Sequence, residues 1–372
     1  MQIQKILHKD LLDYLDTASY QNSPNLPISR IRGLSQAKNP RARPDDTVLI
    51  MVFEDGEMKG YLGVLPDDLH FNEVEGHYKK EHIGWLSCIW VDPRMRGKGI
   101  AKTLVNNALE AWNNRIMMTE FTADAQKLYE SNGQFMDLSK PEGLRAYLRP
   151  NLTYLLMAKN PKKWSKLQWL LSFFDGGLSI INNLRLLFIK KPKCNFSYVS
   201  EIDSETIEFI QKNRSALELM RRGEADLNWM INDPWLQSGV VENEESKRYH
   251  FSSVAKCFKF LNLKIFNENN EIIAFLILSV RDKNLKIPYS FIAPEAEAIV
   301  TKTVEQIMME QQLDMITVFH PNLVNYWHKN KGPFFMKRKM QRHYMISKLL
   351  GELLNNQEKY LLQDGDADAA FT

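Results

Sequence analysis

The sequence predicts an α/β fold built twice along the chain, and three observations carry that prediction. Short apolar runs alternate with segments of helical spacing. The stretch WLSCIWVDPRMRGKGIAK, Trp85 to Lys102, reads as strand, turn, basic glycine-containing loop and helix start. The same order then recurs. LYESNGQF, ending at Phe135, lines up with YWHKNKGPF, ending at Phe334, and Pro93 and Pro294 recur at nearly the same separation. A length of 372 residues, at about 150 per domain, also suggests two domains.

In the first half, Gln2 to Leu7 reads as a strand and Lys9 to Ala18 as a helix through Leu11, Leu12, Tyr14 and Leu15. Asn22 to Asp46 is rich in Pro, Arg and Ser and reads as a loop with short helical pieces; its Arg30, Arg32, Arg41 and Arg43 could meet an acidic acceptor. Thr47 to Glu54 and Met58 to Leu65 are strands joined by a turn at Asp55-Gly56. Trp85 to Val91 is the next strand, and Ala101, Leu104, Val105, Ala108, Leu109 and Trp112 set the helix after it. Ile116 to Phe121 is a strand and Ala123 to Asn132 a helix ended by Gly133. Leu144 to Leu148 and Leu152 to Met157 are expected to close the first sheet.

The loop has a definite chemistry. Helix-opening N–H groups lack intrahelical partners and sit at the positive end of the helix dipole. Gly97 and Gly99 let the backbone approach a ligand, and Arg94, Arg96, Lys98 and Lys102 add positive charge. A pyrophosphate fits such a site. Neither G-x-x-x-x-G-K-[ST] nor G-x-G-x-x-G is present.

What stands is R-x-x-G-x-G-x-A, at Arg94, Gly97, Gly99 and Ala101, behind V-D-P. This resembles the acyl-CoA loop of the GNAT acetyltransferase superfamily, and the order of elements resembles that family over Met1 to about Lys159. The resemblance implies two tandem GNAT-like domains, each a mixed, mostly antiparallel sheet flanked by helices. It implies residues 1–159 as the acyl-CoA-binding catalytic domain, 160–193 as an amphipathic linker and 194–372 as a second GNAT-like domain. It further implies that Arg94, Met95, Arg96, Gly97, Lys98, Gly99, Ile100 and Ala101 hold the coenzyme. Ile89, Trp90 and Val91 would then pair with its pantetheine arm.

AQKLYESNGQF resembles the family's second signature, which makes Tyr129 the acid for the leaving thiolate. Gln134, between Gly133 and Phe135, departs from that signature. Glu120, at a strand end, leads as base; Glu81 and His82 are the other candidates, and transfer through water alone stays open.

Asn160 to Lys193 is basic and rich in Trp, Leu and Phe. It reads as two amphipathic helices broken at Gly176-Gly177. Packing between domains is the expected role, with a membrane-surface helix as the alternative, since Lys162, Lys163, Lys166, Lys190 and Lys191 flank the apolar part. Beyond it, Phe196 to Val199, Cys257 to Phe266, Ile272 to Val280, Ile287 to Ile292 and Met315 to Phe319 read as strands. Ser204 is expected to cap a helix, with further helices over Glu295 to Met309 and Pro321 to Asn330. Phe334 to Met345 is expected to supply the end of the second sheet. No glycine follows Pro294; Glu295 and Glu297 stand where a pyrophosphate would sit, and like charges oppose binding. His328 falls at the place matching Tyr129. The second half is expected to cover the acceptor cleft instead.

Net charge of +3 gives no argument for nucleic acid. The three cysteines, Cys88, Cys194 and Cys257, form no metal-ligand spacing, so no metal is expected and a reducing, cytoplasmic setting fits. The N-terminal segment does not read as a cleavable leader. Asp364 to Asp368 lacks the downstream Glu of a calcium loop and reads as a mobile acidic end. The function these features imply is an acyl-CoA-dependent N-acyltransferase, acetyl-CoA being the donor and a primary amine the acceptor. A longer acyl or aminoacyl donor, or a non-catalytic acyl-CoA-binding or membrane-docking module, are the alternatives.

Overall fold

The computed structural model describes the chain except residues 75–76, 152, 154–155, 157–163, 190–192, 355–359 and 370–372. Along the chain run β1 (Gln2–Leu7), α1 (Leu11–Asp16), α2 (Ala18–Gln21), α3 (Arg30–Gln36), β2 (Thr47–Glu54), β3 (Glu57–Val74) and β4 (His77–Val91). Next come α4 (Ile100–Ala111), β5 (Ile116–Thr119), α5 (Ala123–Asn132), β6 (Phe135–Ser139), β7 (Glu142–Tyr147), α6 (Gln168–Leu187), β8 (Asn195–Val199) and α7 (Ser204–Asn213). Then follow α8 (Glu224–Asn232), β9 (Gln237–Ser238), α9 (Glu244–Arg248), β10 (Val254–Ala255), β11 (Phe258–Phe266), β12 (Ile272–Arg281) and β13 (Asn284–Ile292). The chain closes with α10 (Glu297–Glu310), β14 (Met315–Val318), α11 (Pro321–Lys329), β15 (Met336–Gln341), β16 (Tyr344–Ser347) and α12 (Lys348–Leu353).

The chain forms two compact units. The first comprises Met1–Pro141, Ser200–Phe260 and Gln341–Thr372; the second comprises Glu142–Val199 and Leu261–Met340. Each holds a seven-stranded sheet, in the orders β1-β2-β3-β4-β5-β16-β6 and β15-β7-β14-β13-β12-β11-β8. Pairs β4–β5 and β13–β14 are parallel. This is the α/β architecture of two GNAT-like units that the sequence predicted.

Their membership in sequence differs from the expected contiguous ranges. Leu144 to Leu148 was expected to close the first sheet. Instead β7 pairs with β14, in the second. Conversely β16, from the end of the chain, lies between β5 and β6 of the first sheet. A strand's alternation fixes which face is buried but not which sheet accepts its edge. The expected strand Leu152 to Met157 falls largely outside the described residues.

In the first unit one face of the sheet buries α4 through Ile100, Leu104, Val105, Ala108 and Leu109 against Ile50, Val52, Leu62 and Val64. Each of the Ile, Leu and Val side chains contributes about 1.5–3 kcal/mol on burial. The other face buries α1, Leu26, Ile28 and Tyr249. The β3–β4 hairpin runs well past the strand ends that the sequence suggests. Its polar extension is satisfied by ion pairs: Asp67 with Arg41 and Arg222, and Asp68 with Lys80 and His82. In the second unit Leu276, Leu278, Ile316, Val300, Val304 and Trp327 form the core.

Three local expectations change. Asp203, not Ser204, caps α7, accepting from the Thr206 N–H at 2.9 Å. Helix α6 is continuous through Gly176 and Gly177. Its Trp169, Phe173, Ile180 and Leu187 are exposed rather than packed. Of the lysines flanking it, 162, 163, 190 and 191 lie outside the described residues.

Candidate active site

The site forms where β4 and β5 separate. They pair only at Gly84↔Ile116 and Trp85↔Met117. Beyond that point β4 carries a bulge: Cys88 and Ile89 together face Leu62 alone, between the pairs Gly63↔Ser87 and Tyr61↔Trp90. Cys88 takes φ 53°, a left-handed conformation that costs a non-glycine residue about 1–3 kcal/mol. The bulge turns β4 out of register with its parallel neighbour and leaves a fork.

A cavity of about 290 Å³ fills the fork. Leu86, Ser87, Cys88 and Ile89 form one wall and Thr119, Glu120, Phe121 and Thr122 the other, with Ala125 and Tyr129 below. Arg32, Trp235, Phe251, Ser252 and Asp368 complete it.

At the far end of β4, Asp92 accepts from the Arg94 N–H at 2.9 Å and starts a short 3-10 turn over Pro93–Met95. Met95 and Ile100 are buried and anchor the loop in the core, so these two could meet a ligand only through their backbones. Gly97 and Gly99 have φ 80° and 81° with open space around them. Gly99 precedes α4 without any side-chain cap, so the first N–H groups of the helix stay available. Arg94 is held by Asp92 at 2.7 Å. Arg96, Lys98 and Lys102 are exposed and make no ion pair among the described residues. A fork, a glycine loop and an uncapped helix start fit a thioester with a pyrophosphate behind it.

Tyr129 is buried, edge-on to Phe121 and Phe135 at 5.7 Å each. Burial raises its pKa, so the phenol keeps its proton. Tyr129 is one of the residues that line the cavity. Glu120, φ 52°, also lines the cavity and is bound by Arg342 at 2.7 Å. Of the expected arm-binding residues only Ile89 reaches the cavity. Trp90 stacks between Tyr61 and His250, and Val91 packs on the core. Glu81 and His82 lie elsewhere, tied to Arg115 and to Asp46 and Asp68.

Sequence reasoning missed Asp368. The acidic end is not loose: Asp364 and Asp366 are buried and Asp368 is half-buried. Arg342 grips Asp364 at 2.6 Å, and Arg222 lies 3.5 Å from Asp366. Asp368 then accepts from the Ser87 hydroxyl at 2.7 Å, with the Arg32 guanidinium 3.5 Å away. Arg32 itself lies over the Trp235 ring at 4.4 Å and donates to Cys88 and Ser87. Of the four arginines thought to meet an acceptor, Arg32 alone lines the cavity. Arg41 is consumed by Asp67 and Asp226. The only hint of a built tail was its regular Asp spacing.

Residues 11–134 match the model of the acetyltransferase (GNAT) family. The chain carries a GNAT domain. The match runs from α1 to α5 and includes the segment that supplies the fork, the loop and Tyr129. Over both units the fold is similar to a conserved protein of unknown function from Enterococcus faecalis V583 described as a probable N-acyltransferase. Identity is 10%, 94% of this chain and 73% of that one are covered, and the TM-score is 0.51. It is also similar to Saccharomyces cerevisiae N-myristoyltransferase with bound myristoyl-CoA, at 10% identity, 93% and 78% coverage and TM-score 0.50. At such identity the likeness is one of fold. No curated protein matches the chain in sequence. The GNAT fold is that of acyl-CoA-dependent acyltransferases.

Proposed function

We propose that this protein is an N-acyltransferase that moves an acetyl group from acetyl-CoA to a primary amine. The observation that carries the reading is the β4–β5 fork, opened by the Cys88–Ile89 bulge and ending in the uncapped start of α4. The backbone from Arg96 to Ala101, with Arg96, Lys98 and Lys102, holds the pyrophosphate. Arg94, spent on Asp92, contributes less. The freed edge of β4 at Cys88 and Ile89 polarises the thioester carbonyl. As the amine attacks, a C–N bond forms and the C–S bond breaks; Tyr129 gives its phenolic proton to the sulfur.

The amine proton passes to a carboxylate of the cavity. Asp368 is preferred to Glu120, whose carboxylate is engaged directly by Arg342 at 2.7 Å. A cavity near the low end of the roughly 300–1,000 Å³ range of ligand pockets must admit thioester, acyl group and amine together, which favours a short acyl group. The likeness to an N-myristoyltransferase motivates a second reading, a longer acyl donor.

The test is single-turnover transfer from CoA esters of graded chain length to a panel of amines, with Asp368→Asn and Glu120→Gln beside the wild type. Turnover fastest with acetyl-CoA, and a larger loss in Asp368→Asn, supports the proposal. Preference for long chains favours the second reading. Coenzyme binding without turnover on any amine leaves a binding module.

A further inference from the structure

Helix α6 belongs to the second unit and is apolar on the side that should be polar. Its inward face packs through Leu171 and Leu186, and it also turns its polar groups inward. Buried Asn182 donates to the Leu148 carbonyl, Arg185 donates to the carbonyls of Leu148 and Pro333, and Asp175 accepts from the Thr153 N–H. The outward face carries Trp169, Phe173, Ile180, Leu184, Leu187 and Phe188, which are 53–89% exposed. At 100° per residue these lie within one arc opposite Leu171 and Asn182. A surface helix that faces solvent alone has the reverse arrangement, and a patch of this kind marks a docking surface.

The flanking charge says what docks. Between residues 160 and 193 Lys162, Lys163 and Lys166 precede the helix and Lys190, Lys191 and Lys193 follow it, while Asp175 is the sole acid and faces inward. Both ends are therefore basic. Pairing with a second copy, parallel or antiparallel, brings lysines onto lysines. An anionic lipid surface suits the pattern: aromatic and aliphatic side chains enter the headgroup boundary while lysines at either end meet the lipid phosphates. No described helix is long and apolar enough to cross a membrane, so α6 lies on the surface. We propose that the outward face of α6 docks this protein on anionic membranes.

The test is flotation of the full chain with vesicles of phosphatidylcholine alone, or of equal parts phosphatidylcholine and phosphatidylglycerol. The wild type is expected to rise with the anionic vesicles, to stay behind with the neutral ones and to be released by salt. Phe173→Ser with Ile180→Ser and Leu187→Ser should abolish co-flotation. Lys190→Glu with Lys191→Glu should weaken it by about fivefold per charge removed, and further through repulsion. Thermal unfolding of both variants accompanies the assay; if the serine variant does not fold, the lysine variant decides alone. Three outcomes overturn the proposal: no binding to anionic vesicles, full binding by the lysine variant, or a wild-type dimer that the serine variant converts to monomer.

Discussion

The two units share a plan and differ in what they can hold. Each has a parallel pair at its centre, and each bulges its longer central strand in the same way. Cys88 and Ile89 face Leu62 in the first unit, and Ile287 and Pro288 face Leu278 in the second. After the strand the units part. Gly97 and Gly99 lead into an uncapped helix in the first. In the second, Glu295 takes φ 65° and Glu297 opens α10, accepting from Asn322 at 2.7 Å. Tyr129 lines a cavity. In the matching helix the inward residue is Trp327, fully buried and donating to Glu305 at 2.9 Å, and the expected His328 is exposed. One plan thus ends in an open cavity or in a plain core through a few residues at one strand end.

The largest effect should come from removing that difference. Gly97→Asp with Gly99→Asp puts carboxylates and disfavoured conformations into the loop, and coenzyme A binding should vanish. Calorimetry of the wild type should give one site per chain. Two equivalent sites would end the contrast between the units.

Tyr129→Phe should next slow the chemical step about 10²–10⁴-fold with coenzyme affinity little changed. The matching change, Trp327→Phe, should leave the rate alone. It strands the Glu305 carboxyl, whose pKa burial already raises, and should cost about 1–3 kcal/mol in unfolding free energy. Single-turnover rates and denaturant titrations on both variants decide.

The smallest effect is one of pH. Burial raises the Asp366 carboxyl to about 7, against the pull of Arg222 and with Asp67 and Glu218 adding to the rise. A raised carboxyl contributes stability in full below its unfolded value, about 3.9, and loses it as pH climbs through 7. The wild-type melting temperature should therefore fall relative to Asp366→Asn between about pH 5 and pH 8. A shift of about 2–4 °C per kcal/mol is expected for a unit of this size. Parallel melting curves would show that Asp366 does not titrate in that window.

The loop was legible because a backbone with positive φ needs glycine, and glycine shows in a sequence. The bulge was not, since Cys88 adopts the same region with a side chain that gives no sign of it. Tyr129 was legible by its place in a repeated string. Asp368 was hidden, because its position depends on Arg342 and Arg222 gripping neighbours far away in sequence. The sequence reads as strands that end at Leu65 and start at Trp85, because the Arg41 and Arg222 that neutralise Asp67 in the extension lie far away in sequence. Leu144 to Leu148 reads as a strand in either sheet, so its partner could not be known.

The exchange of β7 and β16 sets an order on synthesis. The first sheet leaves an open edge on β5 until β16 arrives, and the acidic end that brings Asp368 follows later still. Roughly two hundred residues separate β6 from β16, so at ~5–20 residues per second the nascent edge waits about 10–40 s on the ribosome. An edge of that kind invites wrong pairing. A nascent chain halted before β16 should therefore remain bound by chaperones and be cut readily by protease, and should gain protection only once Ser347 has emerged.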